Sequence, residues 1–137
     1  MGLAERRAAK KFEDTLYPPL KQQVETAAHF AVPVDVNWQS LATDEQAHLY
    51  DECWPKVYFT PLIEALEGIT TDDMGRDALK AGLHRIVIRN TGGIYSASGA
   101  FVTFEGGVLT LDHEPCTNVD DTRDRRDAIQ KTLEKAL

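Results

Sequence analysis

The sequence predicts a single α+β domain over residues 1–137. N-terminal helices come first, followed by one early strand, a helical middle segment, a C-terminal antiparallel β-meander and a final helix, with one layer of sheet covered by helices. Three observations predict it. Apolar residues recur at helical spacing at both ends of the chain, and they alternate every second residue in two interior stretches. The length of 137 residues suits one hydrophobic core rather than two.

The opening helical pattern is Ala8, Phe12, Leu16, Leu20, Val24 and Ala28, with charged residues between them. Pro18 and Pro19 interrupt it. Each lacks a backbone donor, and Pro18 disfavours helical backbone at Tyr17, so two helices or a sharp kink are expected there. The period then changes. Val32, Val34, Val36 and Trp38 alternate with Pro33, Asp35 and Asn37, the repeat of a half-buried strand, and Pro33 points to a sheet edge or to the strand's first residue.

From Ser40 to Gly82 the pattern is helical. Thr43 with Gln46 and Thr70 with Asp73 have the capping-box spacing. Pro55 is expected to end or bend a helix near Trp54, Thr60-Pro61 to start the next one and Gly68 to stop it. Gly82 suits the left-handed residue beyond a helix end.

Beyond His84 the reading is β. Ile86 and Ile88 point one way; Arg85, Val87 and Arg89 point the other. Two alternating runs, AFVTFE and VLTLDH, flank Gly106-Gly107, the pair that a two-residue primed turn favours. Asn118 followed by Asp121 marks the start of a last helix. Asp120, Asp121 and Asp124 complement its positive end, and Val119, Thr122, Ile129, Leu133 and Ala136 form its apolar stripe. Arg126 is the odd residue in that stripe. Asp121–Arg125, Asp127–Lys131 and Arg123–Asp127 are expected as solvent-side pairs.

Composition excludes several function classes. The chain is 42 % hydrophobic and 27 % charged, which suits a folded domain better than a disordered one. A net charge of −7 argues against sequence-independent nucleic-acid binding. No run of about 18 apolar residues could cross a membrane, and the N-terminus lacks the apolar stretch of a secretory signal. Cys53 and Cys116 stand far apart, so reduced thiols in a cytoplasm are the plain expectation, with one long-range disulfide as the alternative.

The charge is unevenly placed. Residues 41–82 carry a balance of −6, against +1 for residues 1–30 and −1 for residues 83–137. Asp44, Glu45, Asp72 and Asp73 suit helix starts. Asp51, Glu52, Glu64 and Glu67 are not explained by capping and are the candidate partner-binding residues, with Trp38, Trp54 and Tyr58 as candidate aromatic anchors. The expectation is a non-enzymatic interaction module of bacterial regulatory, inhibitory or immunity type that binds a basic protein, with no cofactor and no metal.

The competing reading is a small enzyme or ligand-binding domain at the strand end, where Asp112, His113 and Glu114 stand near Cys116. Alternation puts Asp112 and Glu114 on one face and His113 on the other. Two carboxylates and an imidazole suit acid–base work or a metal, and Arg126 is expected to reach back to Asp112 or Glu114. The simpler account of the same residues is a strand end meeting a helix cap. A third reading is a homo-oligomer, paired through the strand carrying Pro33 or through the meander edge.

His29, His48 and His84 lie on separate elements without the spacing of a zinc site. Ser96 and Ser98 lack a nucleophile elbow and read as turn residues. Cys53 reads as a buried, inert thiol.

Overall fold

Helices α1 (Leu3–Thr15) and α2 (Tyr17–Ala28) open the chain in the computed structural model, which describes residues 2–137. They part at Leu16, and Pro18 and Pro19 fall in the first turn of α2, where a missing N–H costs nothing. α2 ends at His29, whose backbone turns left-handed (φ 65°) and returns its N–H to the carbonyls of Glu25 and Thr26. Strand β1 (Val34–Val36) follows, then the short helix α3 (Trp38–Leu41), capped by the Asn37 side chain.

The middle segment departs from expectation at Pro55, which does not end the helix. α4 (Tyr50–Trp54) runs through a π-helical turn at Pro55–Phe59 into α5 (Thr60–Ile69), all in helical backbone. Pro55 and Pro61 each lack a donor and crowd the carbonyl one turn earlier. The wider turn between them carries the Thr60 N–H back to the Pro55 carbonyl and accommodates both rings. Thr60-Pro61 therefore lies inside a helix rather than at its start.

Two caps also differ. Thr43 meets Gln46 at 2.7 Å, but only a 3₁₀ turn follows, at Ala47–Leu49. Asp72, not Thr70, caps α6 (Asp73–Gly82) by accepting from the Gly75 N–H at 2.7 Å. Thr70 is buried, and its hydroxyl donates to the carbonyls of Ala27 and Leu66. Gly82 is the last residue of α6 and lacks the left-handed backbone expected of it.

The remaining elements are β2 (Arg85–Arg89), β3 (Val102–Glu105), β4 (Val108–Asp112) and α7 (Thr122–Ala136). The sheet order is β1-β2-β4-β3. β1 pairs parallel with β2, β2 parallel with β4, and only β3–β4 is antiparallel. The expected meander is thus corrected: β4 takes the place beside β2, and β3 is displaced to the edge. Side chains explain the exchange. β4 buries Leu109 and Leu111 and carries no charge before Asp112, whereas β3 exposes Thr103 and Glu105, which suit an edge. The Gly106-Gly107 turn forms as expected, with φ of 58° and 80°.

Ile86, Ile88, Leu109, Leu111 and Val102 lie in one core with Leu62, Leu66, Leu79, Ile129 and Leu133 of the helices. The other sheet face is open. Asp35, Arg85, Arg89 and Thr103 are exposed there, with an Arg85–Asp35 ion pair at 3.0 Å. α7 starts at Thr122 with Asp121 before it. Asn118 stands outside the helix with left-handed backbone (φ 52°), its amide donating to the Tyr95 carbonyl.

A Cβ on Gly107 would come within 2.2 Å of the His84 ring, on a backbone that already disfavours side chains, whereas one on Gly106 would meet nothing within 4 Å. Gly107→Ala is therefore expected to destabilise the fold by about 1–3 kcal/mol, and Gly106→Ala by distinctly less, measured by chemical denaturation.

Candidate functional site

Asp112 ends β4 with its side chain turned to the first residues after β2. Its Oδ1 accepts from the backbone N–H of Thr91 at 2.8 Å and of Gly92 at 3.1 Å. Its Oδ2 accepts from the Thr91 hydroxyl at 2.6 Å and from Arg89 Nε at 3.0 Å. Partial burial pushes its pKa up, but these donors outweigh burial, and the carboxyl is held below its usual range. Four donors on two oxygens make Asp112 the clasp that closes the Thr91-Gly92 turn.

His113 is fully buried. Its Nδ1 lies 2.6 Å from the Glu114 carbonyl, its Nε2 lies 3.3 Å from Arg125 Nε, and the Phe101 ring meets it edge-on at 5.3 Å. Tyr58, also buried, donates its hydroxyl to the His113 carbonyl. Burial pushes the imidazole below its ordinary value, and the charge on Arg125 adds to this. Glu114 turns back on its own loop, accepting from the Cys116 N–H and the Thr117 hydroxyl.

The arginine that reaches this group is Arg125, not Arg126. Arg125 is fully buried, and its Nη2 donates to the Thr117 carbonyl at 2.8 Å. Arg126 lies on the outer side of α7 and pairs with Asp127 at 2.8 Å and with Glu64 at 3.9 Å. The helical repeat explains the error, because residues three and four before Ile129 both fall on its stripe, and both are arginine. The expected solvent-side position of Arg125 is corrected with it, and Asp127 is held by Arg126. Asp112, His113 and Glu114 are thus adjacent, but their polar atoms are taken up by the fold's own donors and acceptors.

The four candidate acidic residues separate. Asp51 and Glu52 are exposed on α4, where Lys56 lies 3.6 Å from Glu52 and 3.5 Å from Asp120. Glu64 faces α7 and Arg126. Glu67, one turn on, lines a groove of about 480 Å³ between α2 and α5. Gln22, Gln23, Thr26 and Ala27 of α2, Ile63 of α5, and the end residues His29 and Thr70 also line the groove, and no lysine or arginine is among the described residues that line it. Sequence spacing gave no sign of it, since α2 and α5 lie far apart in the chain. Trp54 and Tyr58 are fully buried, which removes them as surface anchors, and Trp38 is half-buried in the aromatic cluster.

Both thiols are free. Cys53 is buried, and burial with the contact to Cys53 pushes the half-buried Cys116 thiol up. The hydroxyls of Ser96 and Ser98 bond each other at 2.6 Å, as turn residues do. Among the described residues no group of three histidine, cysteine or acidic side chains is placed to hold a metal ion, and no helix is long and apolar enough to cross a membrane. No family model, curated protein or solved structure matches the chain.

Arg125→Ala is expected to cost about 2–4 kcal/mol, because it leaves buried acceptors unpaired and opens a void. Arg126→Ala should leave the denaturation curve close to wild type. Asp112 titrates with the opposite sign to a base: its stabilisation is complete above the unfolded carboxyl value of 3.8 and is lost as pH falls through the lower native value. Acid titration of wild type against Asp112→Asn should show the stability gap closing only below that point.

Proposed function

We propose that the chain is a non-enzymatic protein-interaction module, of regulatory, inhibitory or immunity type, that engages a basic protein along α4 and α5. The observation that carries this reading is the α2–α5 groove, in which Glu67 is the one acidic or basic side chain among the described lining residues apart from His29. Thr70 donates to the Ala27 carbonyl, so α2 and α5 end side by side, and His29 and Thr70 mark those ends. The C-terminal ends of two helices carry partial negative charge. Carboxylate, glutamine oxygens and helix ends together favour an ammonium or guanidinium group, and Ile63 offers apolar surface for its stem. Asp51 and Glu52 add negative charge farther along the same helix and would steer a basic partner toward it. Glu64 faces α7 and pairs with Arg126, away from the groove, and Glu52 is likewise paired, with Lys56, so Glu67 and Asp51 carry the open charge. Two free thiols accord with a reducing cytoplasm.

The strand-end reading, a small enzyme or ligand-binding domain around Asp112, His113 and Glu114, keeps one supporting observation. The C-terminal ends of three parallel strands meet there, the edge at which such sheets hold ligands, and Asn90 Oδ1 is buried beside it without a partner. A ligand that raises the melting temperature of wild type but not of Asn90→Ala would favour it. A homo-oligomer through the free edge of β3 is the third proposal, and light scattering that shows only monomer would remove it.

A basic protein captured by the immobilised chain is expected to dissociate as salt shortens the screening length from about 10 Å at 0.1 M toward 3 Å at 1 M. Glu67→Gln should weaken capture about tenfold, and Asp51→Asn with Glu52→Gln should mainly slow association. Binding that ignores both salt and Glu67→Gln would leave the proposal without support.

A further inference from the structure

We infer that His113 and Arg125 form an acid-sensitive latch, which holds residues 114–121 against the helices and releases them when His113 takes up a proton.

The geometry determines the protonation state. A guanidinium has donors only, so the contact between Arg125 Nε and His113 Nε2, at 3.3 Å, requires Nε2 to accept. The ring proton therefore sits on Nδ1 and is donated to the Glu114 carbonyl at 2.6 Å. In the neutral form Nδ1 donates to the Glu114 carbonyl and Nε2 accepts from Arg125, so both ring nitrogens are satisfied. A second proton, on Nε2, sets donor against donor and places two cations side by side in a site where both side chains are fully buried.

Neighbouring charge relieves this only in part: Asp112 favours the charged ring through space, and burial outweighs it. From α7, Asp121 and Asp124 act on Arg125 through space, but no carboxylate is paired with it. From the π-helical turn, Tyr58 faces the backbone carbonyl of His113 rather than its ring. From the loop before β3 come the Phe101 ring and the Ser96 backbone, which favours the charged ring but less than burial disfavours it. Asp112, on β4, is engaged by Arg89, Thr91 and Gly92, and Glu114 by its own loop. Arg125 Nη1 is already buried without a partner. The site thus begins one acceptor short, and protonation of His113 removes another.

Release would be local. Inside, residues 114–121 are held through the Glu114 and Thr117 carbonyls, on His113 and Arg125, by the Glu114 N–H on the Ile94 carbonyl, and by Cys116 and Val119 packed on the core. Outside, they are held by exposed contacts, Asn118 to the Tyr95 carbonyl and Asp120 to Lys56. Burial and the Arg125 charge keep His113 neutral in the closed form and push its pKa below the ordinary 6.5. The sign follows: closure is fully stable above about pH 6.5 and weakens as pH falls below it. The latch needs no partner and stands whether or not the groove binds one.

Hydrogen exchange on the full chain tests it, from about pH 7.5 to about pH 5.5, with rates corrected for the chemical step. The opening constant of the hydrogen-bonded Cys116 and Asp121 amides is expected to rise by up to about tenfold per pH unit below about 6.5, while the amides of α1 and α2 stay constant. In His113→Gln, whose amide oxygen can accept from Arg125 but does not titrate, the rise should vanish. A flat wild-type profile, an equal rise in His113→Gln, or a uniform rise over the whole chain would overturn the latch. Should His113→Gln not fold, the NMR titration of His113 in wild type decides instead. A midpoint below 6.5 supports the latch, and one at or above 6.5 overturns it.

Discussion

One helix has to pass two prolines, and the rest of the architecture hangs on how it does so. Between Pro55 and Pro61 the chain widens into a π-helical turn instead of breaking, so Tyr50–Ile69 stays one spine. Trp54, Tyr58 and Phe59 are all buried along it. Trp54 meets Phe12 edge-on at 5.0 Å and stacks on Tyr50 at 4.4 Å, which ties α1 to α4. Tyr58, one turn on, donates to the His113 carbonyl, which ties the spine to the end of β4. A break at Pro55 would uncouple these two contacts.

The same spine lies parallel to α7. Lys56 faces Asp120, Glu64 faces Arg126, and Gly68 faces Gln130 so closely that a Cβ would come within 2.6 Å of its amide. This alignment sorts the acidic residues. A carboxylate turned toward α7 meets an arginine, whereas one turned toward α2 meets glutamines and a threonine. Glu64 and Glu67 are three residues apart in one helix and end in different surroundings for that reason alone.

Much of the fold was legible in the chain. The proline pair separated α1 from α2, the alternation around Val34 and Ile86 identified β1 and β2, and Gly106-Gly107 marked the hairpin. Each of these is a local steric preference or a period, which a short stretch of sequence expresses by itself. The site was less legible. Asp112, His113 and Glu114 were marked, but the roles of clasp and buried acceptor come from Thr91, Gly92 and Arg125, at distances in sequence that no spacing encodes. Arg125 and Arg126 fit the stripe of α7 equally well, and only the packed helix separates them. The groove at Glu67 had no signal, because its two walls come from α2 and α5.

The sequence by itself therefore determined the fold class, the run of elements and the excess of negative charge in residues 41–82, since periodicity, turn chemistry and charge are properties of neighbours along the chain. The tertiary structure alone decided the strand order, the continuity of the helix across Pro55, the burial of Arg125 and the division of carboxylates into paired and open. Those outcomes depend on which surfaces exclude water together, and burial is settled by partners brought in from remote segments.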